Sequence, residues 1–380
     1  MASVEIRPVR SRRDLKRFVK VPFRLHRDHP QWVPPLIFER MEFLNRGKNP
    51  WFEHGEAEYF IAERDGEPVG RITAQTDELW DEAHGGSDAM FGFFETVEDP
   101  AVAAALLDAA GEWAASRGRS RVLGPMDFTT NDEVGILIEG HELRPYILEN
   151  WHPPFYKSLL EAHGFGKAMD LLMWQLELGS LKEGESFDPA IHAAAEKALR
   201  DEGVTIRNID KGNLAREMRL FTPVYNDAWS DNWGFVPATD AEIEFHAKNL
   251  KQVLDEDWAY IAEKDGEAIG AALTLPDINQ VMAKLGGRLL PFGWLRFLLG
   301  KRKIDRLRVF ALGVKREYHH SGVAAGLYLK HLETANKPGA IEGGEMGWIL
   351  ETNEPMNRAM KGMGGEVVKK YRIYEKAVGG

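Results

Sequence analysis

Residues 60–70 read FIAERDGEPVG and residues 260–270 read YIAEKDGEAIG, the same phrase two hundred positions apart. Each phrase holds two apolar runs around Asp65-Gly66 or Asp265-Gly266. Asp-Gly between alternating residues is a hairpin signal, because glycine takes a positive φ at little cost. Outward from it, Val4-Glu5-Ile6-Arg7 returns as Val204-Thr205-Ile206-Arg207, and Trp32-Val33-Pro34 as Phe235-Val236-Pro237. PFYKSLLEAHGF (154–165) parallels PMNRAMKGMGGE (355–366). Four matches in one order read as duplication of a whole domain. Two long copies are not a solenoid, whose units run about 20–50 residues.

Both copies follow one order. A short strand (VEIRPV or VTIRNI) precedes a stretch with apolar residues at helical spacing: Leu15, Phe18, Val19 and Phe23, or Leu214, Met218 and Phe221. The hairpin follows, then a strand (AMFGFFET, 89–96; RLRVFALGV, 306–314), then a helix over 99–118 or 320–335. Strand, helix and strand close each copy. The expected fold is α/β (α+β): two tandem domains, each a mixed, mostly antiparallel sheet flanked by helices. The boundaries are 1–180 and 181–380, with an insertion at 280–304 and the glycine-rich, charged GSLKEGESFDP (179–189) as linker.

Composition narrows the function. The chain has 380 residues, 44% of them hydrophobic and 28% charged, as in ordinary globular proteins. A net charge of −11 offers no global field for nucleic acid. There is no cysteine, which removes disulfides, thiolate metal sites and a thiol nucleophile. Twelve histidines show no HExxH spacing, so no metal is expected. MASVEIRPVRSRRDLK lacks an apolar run of signal length, and no run of about 18 apolar residues occurs. A cytoplasmic protein is expected.

The richest local motif runs from Val309-Phe310-Ala311-Leu312-Gly313-Val314 through Lys315 to His319-His320-Ser321-Gly322-Val323-Ala324-Ala325. A strand ends, the chain turns, and a helix opens on small residues. First-turn amides lack internal partners and favour phosphate. Gly322 and Ala324 would let a pyrophosphate reach the backbone; equally, they would permit tight helix–strand packing.

The element order and this strand–turn–helix resemble the GNAT superfamily of acyl-CoA-dependent N-acyltransferases, over essentially all of 203–380. The family's loop, Q/R-x-x-G-x-G/A, is matched by His319-x-x-Gly322-x-Ala324 except at its first position. Leu350-Glu351-Thr352-Asn353, a helix and Met363-Gly364-Gly365 resemble its second acyl-CoA segment. The N-terminal copy keeps the topology but has Thr96-Val97-Glu98-Asp99-Pro100 at the loop, so it resembles a degenerate copy without CoA binding.

The resemblance implies acetyl-CoA or a longer acyl-CoA as co-substrate. Backbone amides of Leu312 and Val314 face the pantetheine arm and thioester, with Gly313 between them. Lys315 to Ala325, including His319, His320, Ser321, Gly322, Val323 and Ala324, surround the pyrophosphate, and Asn353 belongs to the second segment. Many members protonate the leaving thiolate with a tyrosine whose position here is Met360; Tyr318 or solvent is the substitute. Glu351, His319 and His320 are base candidates. Thr129-Thr130-Asn131-Asp132-Glu133, on a long connection, and Trp229 and Trp233, in a polar and aromatic stretch, are acceptor-site candidates.

Residues 282–308, MAKLGGRLLPFGWLRFLLGKRKIDRLR, face only LWDEAHGGSD in the first copy. Lys284, Arg288, Arg296, Lys301, Arg302, Lys303, Arg306 and Arg308 oppose the single acid Asp305. The stretch reads as a contact for the inner membrane surface, a grip for an acyl chain or CoA phosphate, or a buried hairpin between domains. The expected activity is N-acylation of an amine from acyl-CoA, with a sphingoid base as a specific version. The alternatives are a CoA or lipid sensor without turnover, and aminoacyl transfer of the tandem GNAT-fold peptidoglycan type.

Overall fold

The computed structural model describes residues 3–178, 189–336 and 341–378. The linker expected at 179–189 lies almost wholly outside them. The chain forms two compact units. Unit 1 comprises Met1–Leu171, Val281–Phe297 and Lys369–Gly380; unit 2 comprises Leu172–Gln280 and Leu298–Val368. The units are therefore not simple halves. Part of the insertion and the chain's last strand belong to unit 1, and the end of the first copy's last strand belongs to unit 2.

Unit 1 contains β1 (Glu5–Pro8), α1 (Arg12–Leu25), α2 (Ile37–Phe43), β2 (Gly55–Arg64), β3 (Glu67–Asp77), α3 (Glu78–His84) and β4 (Asp88–Thr96). These are followed by α4 (Pro100–Ala115), β5 (Arg121–Gly124), β6 (Ile136–Glu139) and α5 (Phe155–Ala162). Strand β7 (Gly166–Glu177) ends in unit 2. Unit 2 contains α6 (Pro189–Glu196), β8 (Thr205–Asn208), α7 (Leu214–Ala228), α8 (Asp240–Leu250), β9 (Ala259–Lys264) and β10 (Glu267–Pro276). The insertion forms α9 (Gly293–Lys301). Then come β11 (Arg306–Val314), α10 (Val323–Ala335), β12 (Gly343–Leu350), α11 (Glu354–Gly362) and β13 (Glu366–Ala377).

Strands β1 to β4 form an antiparallel meander, β4 pairs parallel with β5, and β13 closes on β5 and β6 antiparallel. Unit 2 repeats the plan: β8 to β11 are antiparallel, β11 and β12 parallel, and β7 lies beside β12. The fold class read from the sequence is the one observed. Both Asp-Gly turns adopt the left-handed backbone that hairpins require: Asp65 and Gly66 at φ 52° and 79°, Asp265 and Gly266 at 51° and 83°.

The cores lie between sheet and helix. Unit 1 packs Ile72, Phe91 and Phe94 of the sheet against Val102, Leu106 and Ala110 of α4. Unit 2 packs Tyr260, Ile269 and Ala272 against Val323 and Leu327 of α10. No helix among the described residues is long and apolar enough to cross a membrane.

Candidate active-site cleft in unit 2

The parallel ladder of β11 and β12 covers only Arg306–Val309 against Gly343–Met346. At its foot Arg308 and Glu345 are register partners, both buried. The Arg308 guanidinium donates to the Gly347 carbonyl at 3.2 Å. Beyond that point β11 runs on to Val314 and β12 to Leu350 without pairing to each other. A cleft of about 150 Å³ opens there. Its walls include Phe310, Ala311 and Leu312 of β11, Gly347 to Leu350 of β12, and Met356, Met360 and Met363 at the α11 side. Methionine packs adaptably, so this wall suits an irregular apolar guest.

Helix α10 supplies the polar groups. Tyr328, His331, Leu332 and Ala335 line the cleft at i, i+3, i+4 and i+7 spacing, one helical face. His331 Nδ1 donates to the Leu327 carbonyl at 2.7 Å, and its Nε2 accepts the Thr274 hydroxyl at 2.8 Å. Burial lowers His331 to about 4, so it is neutral at pH 7. Burial raises the Tyr328 phenol to about 12. Its hydroxyl lies 3.3 Å from the Met356 sulfur, a weak acceptor that a better one displaces.

Of the residues singled out from sequence, Leu312, Asn353 and Trp229 line the cleft. Asn353 caps α11, its Oδ1 accepting the Met356 N–H at 3.2 Å. Trp229 lies where Gly313 has no side chain: a Cβ there would stand 2.2 Å from the indole. Glu351, Tyr318, His319, His320 and Trp233 are not among the lining residues. His319 Nε2 donates to the Val314 carbonyl at 2.9 Å, and Ser321 Oγ to the Tyr318 carbonyl at 2.6 Å. Tyr318 packs beside the unit 2 core with the Lys264 ammonium 5.8 Å from its ring centre. Lys315 pairs with Glu267.

Gly322 begins α10 at φ 81°, and a Cβ there would stand 2.1 Å from the Ala194 carbonyl of α6. Helix packing alone thus demands this glycine. Val323 is buried in the core, and Ala324 packs at its edge. Met360, at the family's tyrosine position, is a buried part of the cleft wall. Tyr328 and His331 escaped sequence reading, although the face they share was legible in GLYLKHLETA.

Unit 1 differs at the corresponding place. The β4–β5 ladder stops at Met90–Leu123. A Cβ on Gly124, at the end of β5, would meet the Phe91 ring at 2.7 Å. Phe91 stacks edge-on with Phe94 and Phe165, and Phe94 with Tyr156. The Tyr156 hydroxyl donates to Glu95 at 2.8 Å and accepts the Thr96 N–H at 2.9 Å. Glu95 also meets His26 Nε2 at 2.6 Å. Burial raises the Glu95 pKa, but His26 and then Arg71 outweigh it and hold the carboxylate at about 2. Asp127 accepts the Phe93 N–H at 2.7 Å; burial and then Glu133 raise it to about 7. Glu133 forms a forked ion pair with Arg40. Asn131 donates its N–H to Thr129 Oγ1 at 3.0 Å, and Thr129 Oγ1 lies 3.5 Å from Asp132.

No family model matches the sequence. The chain is 37% identical over 385 residues to the bacterial ceramide synthase of Caulobacter vibrioides, covering 99% of the chain and 98% of that protein. It is 38% identical over 379 residues to protein YghO of Escherichia coli, covering 98% and 95%. Among solved structures, a tandem GNAT protein from the clavulanic acid biosynthesis pathway aligns at TM-score 0.56 and 14% identity, over 100% of this chain and 99% of that one. A GCN5-related N-acetyltransferase from Sphaerobacter thermophilus aligns at 0.52 and 14%, over 98% and 95%. At such identities the likeness shows a tandem GNAT fold.

Proposed function

This chain belongs to the family of the Caulobacter ceramide synthase and YghO, and from that membership we propose an acyl-CoA-dependent N-acyltransferase whose acceptor is a sphingoid base. The observation that carries the proposal is the apolar cleft where β11 and β12 no longer pair with each other. A pantetheine arm brings amides that replace the missing strand partner of β11, and a fatty acyl chain matches the Met, Leu and Trp walls.

In the reaction, the neutral amine attacks the thioester carbonyl. The C–N bond forms, the C–S bond breaks, and the amine's proton passes to solvent. Tyr328 remains protonated at pH 7 and donates a hydrogen bond to the departing sulfur. Its pKa of about 12 exceeds the thiol's ordinary value of about 8.5, so it stabilises the thiolate without handing over its proton. Both His331 nitrogens are engaged, so it positions Thr274. Solvent closes the proton balance at the sulfur.

The test is incubation with sphinganine and acyl-CoA of graded chain length, followed by mass spectrometry of the N-acyl product and thiol release. Equimolar ceramide and free CoA are expected. CoA binding without product would favour the sensor reading, and acylation of small soluble amines alone would refute the sphingoid acceptor.

A further inference from the structure

Nine large apolar side chains are exposed among the described residues, and six of them fall between Leu290 and Leu299. Leu290 and Phe292 are 78% and 70% exposed. Helix α9, GWLRFLLGK, buries none of its residues. A hairpin built for packing hides such side chains, since each carries about 1.5–3 kcal/mol of burial free energy. The segment is nevertheless held in place. The Gly287 carbonyl accepts the Ile37 N–H at 3.1 Å. A Cβ on Gly287 would meet the Phe23 ring at 2.5 Å. At the far end the Lys301 ammonium donates to the Gln252 carbonyl at 2.7 Å.

Charge identifies the partner. Of the eight cations read from sequence, Arg308 is buried, Arg306 pairs with Glu177, and Lys301 is engaged. Lys284, Arg288, Arg296, Arg302 and Lys303 are exposed and, among the described residues, have no ion-pair partner. An apolar crest within a basic rim, on a chain of net charge −11, complements an anionic, apolar-cored surface. A second copy is a poor occupant, because a two-fold interface would set this rim against itself.

We propose that residues 284–303 dock the protein on an anionic lipid bilayer. Leu290, Phe292, Trp294 and Leu295 enter the boundary between headgroups and acyl chains, and the five cations meet the headgroups. This goes beyond the acylation reading, and its test needs no turnover.

The full chain is sedimented with vesicles of phosphatidylcholine alone or with added phosphatidylglycerol. Binding is expected only with the anionic lipid. It should fall roughly tenfold or more between about 0.1 and 1 M salt, as the Debye length shrinks from about 10 to about 3 Å. Arg302→Glu with Lys303→Glu should give a similar loss at low salt. Leu290→Ser with Phe292→Ser should abolish binding at either salt while melting like the wild type, because these side chains are exposed. Equal binding to both vesicle types, or none, would overturn the proposal. So would a serine variant that binds normally, that melts far lower, or that converts a dimer to a monomer in light scattering.

Discussion

In unit 1 the parallel ladder of β4 and β5 ends at Met90–Leu123; in unit 2 that of β11 and β12 ends at Val309–Met346. Past those points, unit 1 places Phe91, Phe94, Tyr156 and Phe165 in a continuous core, whereas unit 2 leaves a cleft. The helices that follow also begin differently. Helix α4 starts at Asp99, whose Oδ1 accepts the Ala101 N–H at 2.8 Å and whose other oxygen pairs with Arg64 at 2.7 Å. A protein carboxylate thus sits where an external anion would bind. Helix α10 starts at Gly322, which brings no side chain. The backbone plan survives duplication, and side-chain volume and charge decide which copy has room for a ligand.

The sharpest way to break this contrast is to empty the filled side. Phe94→Ala should cost about 3–5 kcal/mol of stability, read by chemical denaturation, without creating acyl-CoA affinity. A mild loss accompanied by CoA binding would mean that unit 1 is only plugged.

Acid should weaken both units through different histidines. Burial lowers His152 in unit 1 and His331 in unit 2 to about 4, from an ordinary 6.5. A depressed folded pKa means the unfolded chain binds more protons, so stability falls as pH drops from about 6.5 to about 4. Denaturation at stepped pH should show this decline, flattened in His331→Asn. An unchanged slope would put His331 in contact with solvent.

A smaller effect tests the cleft's chemistry. Tyr328→Phe should lower kcat roughly tenfold with little change in KM, the mark of a transition-state hydrogen bond. A change confined to KM would make the phenol a binding group. The smallest effect is expected at the unit 1 helix start. Asp99→Ala should cost about 1 kcal/mol, a lost N-cap, and should add no CoA affinity because the splay remains filled.

Much of this contrast was legible beforehand. The duplication fixed both sheets, both Asp-Gly hairpins and the strand preceding the glycine motif, since these rest on local periodicity and turn chemistry. Leu312 was found because it lies in that strand, Asn353 because it follows the neighbouring strand, and Trp229 because it stands in a polar, aromatic stretch. Tyr328 and His331 were missed because an apolar helix face reads as core whether it meets another helix or an opening. The reassignment of β13 to unit 1 has no local signature, because a strand's sequence does not name its neighbour. Exposure of Leu290 to Leu299 was one of three readings of the insertion, and only tertiary structure separates it from a buried hairpin.

The central claim is that unit 2, and only unit 2, takes the acyl-CoA. Leu312 holds the place in β11 that Phe94 holds in β4: each lies two residues before the antiparallel partner of the repeated glycine, Val314 opposite Gly270 and Thr96 opposite Gly70. Calorimetric titration of acyl-CoA into the wild type and into Leu312→Trp tests the claim directly. The account predicts one site per chain in the wild type and its loss in the variant, by about a hundredfold or more in affinity, with the melting transition retained. Two sites per chain, or undiminished binding in Leu312→Trp, would contradict it.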